Sequence, residues 1–272
     1  MATALPLLIS AETPNRSFAH TVAIYLLEAK YEFLKYLRLP IYAMSTILFP
    51  VMFYVLFGLL MNRKGELGNI GVSAYLVATY GTFGVMGASL FSNGAGVAME
   101  RGLGWLQVKR ASPMPPFAYF AAKFVVSMIF SGIVVSLLLT LGILFGGVHI
   151  SFANAATLIL ILMAGAVPFC ALGLVLGFLV GPNSAPAVVN MVYLPLSFAS
   201  GLWFPIEALP KFLQKLAGFL PPYHLAQIAL RIVGMSDGKA SSAHWQFLFG
   251  FTLVALGLAR AIFQKDEGKM YG

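Results

Sequence analysis

An all-α polytopic membrane protein is the fold class this sequence predicts, and three observations carry it. Of 272 residues, 60% are hydrophobic and only 10% are charged, where a soluble domain carries about a quarter charged. Mean hydropathy is +0.87. The apolar residues gather in runs close to the ~20 that a helix needs to cross a hydrocarbon core.

Taken in chain order, the start MATALPLLISAETPNRS has neither the basic nor the long apolar region of a signal peptide and reads as a tail. Residues 18–40 then repeat apolar Ile24, Leu27, Tyr31, Leu34 and Leu37 at helical spacing, with Glu28, Lys30, Glu32, Lys35 and Arg38 on other faces. This predicts an amphipathic helix in the membrane interface. The alternative, an early start of the first span, places Glu28, Glu32 and Lys35 at costly depth.

Six spans are expected: 40–61, 69–92, 117–145, 154–180, 187–204 and 244–262. The domain reading is 1–39 as cytoplasmic tail and interfacial helix, 40–262 as the six-span transmembrane domain, and 263–272 as a second cytoplasmic tail. Between spans five and six, residues 204–234 hold two short helical patterns divided by Pro221 and Pro222. Neither is long enough to span, which predicts a re-entrant or interfacial outer hairpin.

Lysine and arginine set the orientation. With the N-terminus inside, the inner segments hold Arg16, Lys30, Lys35, Arg38, Arg101, Lys109, Arg110, Lys123, Arg260, Lys265 and Lys269. The outer segments hold Arg63, Lys64, Lys211, Lys215, Arg231 and Lys239. Eleven of the 17 basic residues therefore lie inside, and both termini are expected there. The net charge of +8 fits basic loops beside anionic headgroups, and no basic groove with interleaved aromatics points to nucleic acid.

Several chemistries are not expected. No charge is read inside the core of a span, as ion-coupled transport would need. The four histidines, His20, His149, His224 and His244, are far apart without metal-ligand spacing. GMSDGKAS at 234–241 lacks the spacing of a phosphate loop, so the chain alone is not expected to hydrolyse ATP. Cys170 lies in an apolar run and reads as a buried structural thiol. Gly173, Gly177 and Gly181 form a small-residue face that serves either internal packing or a subunit interface.

One stretch breaks the apolar pattern: ERGLGWLQVKRASPMPP, residues 100–116. Leu103 and Leu106 share a helical side with Met99, leaving Arg101, Gln107 and Lys109 to face outward. Gly102 and Gly104 weaken that helix by about 1 kcal/mol each relative to Ala. A structured element that meets a soluble partner and an ordinary basic inner loop both fit these residues.

Over nearly its whole length the sequence resembles the type-2 ABC transporter permeases, export subunits for drugs, lipids or polysaccharide intermediates. The resemblance rests on Glu100-Arg101, on the KRASPMP that ends the loop, on the six-span pattern, and on FPIEALPKFLQ, LPPYHLAQ and the Arg231 beyond them. It implies a coupling helix that docks on a cytosolic ABC ATPase through Glu100, Arg101, Leu103, Trp105 and Leu106, with Lys109 and Arg110 beside them. It further implies a second permease chain, commonly a copy of the first, a bacterial inner-membrane location, and ATP and Mg held by the partner ATPase rather than by this chain. A substrate pathway is read in Tyr42, Phe53, Tyr54, Tyr75, Tyr80, Asn190, Tyr193, Phe198 and Trp203, which suits a hydrophobic or amphipathic cargo. A membrane scaffold or a passive channel is the alternative function.

Overall fold

The computed structural model describes residues 18–39, 42, 44–61, 65–67, 70–112 and 114–269. The described chain is about 82% helical. Helix α1 (Phe18–Leu37) is followed by the apolar helix α2 (Thr46–Met61). A two-residue ribbon, β1 (Glu66–Leu67) against β2 (Ile70–Gly71), then leads into α3 (Val72–Gly102). After a two-residue break come α4 (Trp105–Ala111) and α5 (Pro116–Phe145). Next are α6 (Phe152–Ala164) and α7 (Ala166–Leu179), nearly continuous across Gly165, and α8 (Ala185–Ala199). Two short helices, α9 (Lys211–Ala217) and α10 (Pro221–Ile232), precede α11 (Ser241–Lys269).

Four of these stretches are long and apolar enough to cross a membrane: α3, 117–145 of α5, 152–179 across α6 and α7, and 241–264 of α11. The six expected spans are thus reduced to four of spanning length. Helices α2 and α8 stop short of the ~20 residues a crossing needs. Pro50 removes an amide donor from α2, and the chain accommodates it by running as π-helix on both sides, over Met44–Leu48 and Tyr54–Met61. The second span is expected to end at 92, yet α3 continues to Gly102. Ser92, Asn93 and Gly94 sit in a π-turn (Phe91–Ala95) with their side chains or backbone packed inside. The final helix also runs past 262, to Lys269.

Helix α3 is the centre of the bundle, buried along almost all of Ser73–Leu90. Most buried hydroxyls find an acceptor. Thr82 and Ser89 donate to the carbonyls one turn back, Ala78 and Val85, at 2.9 and 2.8 Å. Asn93 donates across to Ser127 of α5 at 3.0 Å. The small-residue face of α7 lies directly on this π-turn. A Cβ at Gly177 would come within 2.7 Å of the Asn93 carbonyl oxygen, and one at Gly173 within 2.9 Å of Asn93 Cβ. Gly173 and Gly177 therefore serve internal packing, while a Cβ at Gly181 would meet only Ser184 Oγ, at 4.0 Å. Gly177→Ala is expected to destabilise the chain by about 1–3 kcal/mol through overpacking, read as a lower melting temperature in detergent.

Helix α1 packs its charged side inward. Glu32 and Tyr36 are buried against α5, whereas Phe18, Leu26, Leu27 and Tyr31 are exposed. That leaves an apolar face pointing away from the bundle, as an interfacial helix requires.

Candidate coupling site

One end of the bundle collects α1, the end of α3, α4, the start of α5, the end of α7 and the far part of α11. Its centre is Lys123. Counted only as an inner-loop charge in the sequence, it lies two turns into α5, inside a proposed span, and is 0% exposed. The expectation of spans free of charge is corrected here, because partners from two other helices solvate the ammonium. Lys123 Nζ donates to Glu32 of α1 at 2.7 Å and to Glu100 of α3 at 3.0 Å. The Tyr36 and Tyr119 rings lie 5.5 and 5.1 Å from it. Lys35 pairs with Glu32 at 2.6 Å and also with Glu100. Tyr119 donates to the second Glu100 oxygen at 2.5 Å. Two ammoniums and two carboxylates thus close a neutral knot joining α1, α3 and α5. Burial and the neighbouring Lys123 ammonium hold Lys35 below the ordinary lysine range, although Glu100 and Glu32 pull it upward.

Sequence reasoning named Glu100 and Arg101 as outward docking contacts, and the structure turns both inward. Glu100 enters the knot. Arg101 donates to the carbonyls of Phe178 and Val180, the latter at 3.0 Å, and so ties the end of α3 to the end of α7. Lys109 of α4, also read as outward, pairs with Glu28 of α1. Leu106, placed with Leu103, is instead buried with Val97, Tyr119 and Phe178. Arg110 belongs to α4, but its side chain lies outside the described residues. Among the described side chains, Gln107 stays outward as expected, beside apolar Leu103, 73% exposed, Val108, 63%, and Trp105, 54%.

The two glycines that weakened the helix in the sequence reading have separate causes. Gly104 has φ 75°, a left-handed conformation that costs a side-chain residue strain, and it forms the break between α3 and α4. Gly102 lies against the turn after α7, where a Cβ would stand 2.5 Å from Pro182 Cγ. Gly102→Val should push α4 away from that turn. We expect faster proteolysis at 102–112 with little change in total helix content by circular dichroism.

The expected substrate-pathway residues divide. Phe53, Tyr80, Phe198 and Trp203 form one aromatic cluster, with Phe198 stacked on Trp203 at 4.6 Å and Phe53 at 4.5 Å edge-on to it. Tyr193 joins through Phe83, on which it stacks at 4.5 Å. Phe83, fully buried at the cluster's centre, was not singled out from the sequence. Tyr42 lies elsewhere, with Tyr36 and Phe130. Tyr54 bonds Ser73 at 2.5 Å, Tyr75 reaches the Gly201 carbonyl at 3.1 Å, and Asn190 is exposed on α8.

A bundle of apolar helices carrying a charge-anchored helical segment at one end defines a multi-pass membrane subunit. The chain belongs to the ABC-2 type transporter family, whose pattern matches residues 25–233. It is therefore a transport permease. YvfS of Bacillus subtilis (strain 168), whose name describes a transport permease, is 25% identical over 239 residues, covering 87% of this chain and 95% of that protein.

Proposed function

We propose that the chain is the transmembrane subunit of an ATP-binding-cassette exporter, driven by a separate cytosolic ATPase that docks on residues 99–108. The observation that supports this most is the contrast within that segment. Its charges are spent on internal anchoring, while Leu103, Trp105 and Val108 are exposed. Exposed apolar residues clustered on a rigid base are what protein partners bind, with Trp among the strongest anchors. Movement of a docked ATPase would reach α1, α5 and α7 directly through Lys123, Glu32, Glu100 and Arg101. ATP would bias the inward- and outward-facing states only through contacts that differ between them.

On this reading the knot end faces the cytoplasm of a bacterial inner membrane, with both termini inside. The chain works with a second copy of itself, α2 and α8 complete the crossings, and α9 and α10 form the outer hairpin. ATP and Mg belong to the partner. The aromatic cluster around Trp203 and the exposed apolar sides of α2 and α8 (Phe49, Met52, Met191 and Phe198 among them) suit a hydrophobic or amphipathic cargo.

Proteoliposomes containing this chain and its cognate ATPase test the proposal. ATP-dependent movement of a lipophilic fluorescent probe is expected. Flux without ATP would make the chain a channel, and failure to bind any ATPase would leave a scaffold. ATPase turnover stimulated equally by sugars and by lipophiles would overturn the cargo class.

A further inference from the structure

At the end of the bundle opposite the knot, His224 of α10 and His244 of α11 meet, 7% and 2% exposed. Their Nδ1 atoms are 2.8 Å apart. His224 Nε2 faces the Gly218 carbonyl at 3.0 Å, and His244 Nε2 faces the Asp237 carboxylate at 3.4 Å. Both outer partners are acceptors, so both Nε2 atoms must carry protons. With only those two protons, the Nδ1 lone pairs would point at each other inside a buried site, a costly arrangement. One further proton on His244 Nδ1 satisfies the whole chain. His244 then donates to His224 on one side and to Asp237 on the other, and neutral His224 donates to Gly218.

We propose that His224, His244 and Asp237 form a proton-binding site that ties α10 to the start of α11. The surrounding groups support this distribution of charge. Burial lowers the His224 pKa, with the Gly218 carbonyl opposing it, so that ring stays neutral and stacks on Phe247 at 3.9 Å. Asp237 is partly buried, which raises its pKa. The Lys239 amide at 3.1 Å, His244 and Tyr223 at 3.1 Å outweigh that effect and hold it ionised. Tyr223 is itself pushed up to about 12, mainly by burial and then by Asp237, and remains a donor. Among the other charged groups nearby, Lys239 opposes a charge on His224 and Glu207 acts on Tyr223. Arg231 bonds Ser241 farther along.

The test uses the full chain in lipid nanodiscs with 15N-labelled histidine, and His224→Phe and His244→Phe for assignment. Between about pH 5 and pH 8, where imidazoles titrate, one ring should pass from protonated at both nitrogens to neutral. At the acid end a coupling should connect the two Nδ1 atoms. In Asp237→Asn the doubly protonated signal should give way to two neutral rings. Two neutral rings in acid, an undiminished doubly protonated signal in Asp237→Asn, or a zinc ion bound stoichiometrically by both Nδ1 atoms would overturn the proposal.

Discussion

Lys123→Met is expected to cost about 3–5 kcal/mol, the usual penalty for leaving a buried charge without its partner. The substitution preserves the apolar stem and removes the ammonium that Glu32 and Glu100 share. Lys35 touches both carboxylates but brings only one positive charge to the two of them. The damage should centre on α1, held to α5 through this knot, and should appear as a lower melting temperature and early cleavage within 18–37. Adding Glu32→Gln and Glu100→Gln to Lys123→Met should recover much of the loss, because neutral amides are cheaper to bury than unpaired carboxylates. A Lys123→Met chain as stable as wild type would show that the knot does not hold α1.

Leu103→Asp with Trp105→Asp is expected to abolish ATPase association and leave the fold intact. Both side chains are more than half exposed, so nothing in the core depends on them. At an interface, two central anchors at about 2 kcal/mol each amount to ~4 kcal/mol, nearly a thousandfold in Kd. Melting temperature should stay within a degree or two of wild type, since surface substitutions cost within about 0.5 kcal/mol. Glu100→Ala should behave differently, lowering stability and docking together. Titration of purified ATPase against each variant in nanodiscs separates the two patterns.

The helical membrane fold was legible because composition and run length report directly on burial in lipid. The site was legible as a place but not in its orientation. Residues 100–111 stood out by charge, and the natural reading of charge is exposure. Here Glu100, Arg101 and Lys109 turn inward, because Glu28, Glu32, Lys123 and the end of α7 await them from distant points in the chain. The exposure of Leu103 and Trp105 follows from the break at Gly104, which sequence showed only as a weak helix. Lys123 reads as an inner-loop charge because its position near a span's end fits a loop equally well. The pairing of His224 with His244 was likewise invisible, since it depends on α10 returning against the start of α11.

The most direct measurement is photo-crosslinking from positions 103 and 105 in the membrane-embedded complex with its ATPase. Photoreactive residues at 152 and 219, exposed apolar sites at the opposite end, serve as references. Crosslinks to the ATPase are expected from 103 and 105 and none from 152 or 219. An ATPase that co-purifies with the chain yet crosslinks only from 152 or 219, or from none of the four, would contradict it.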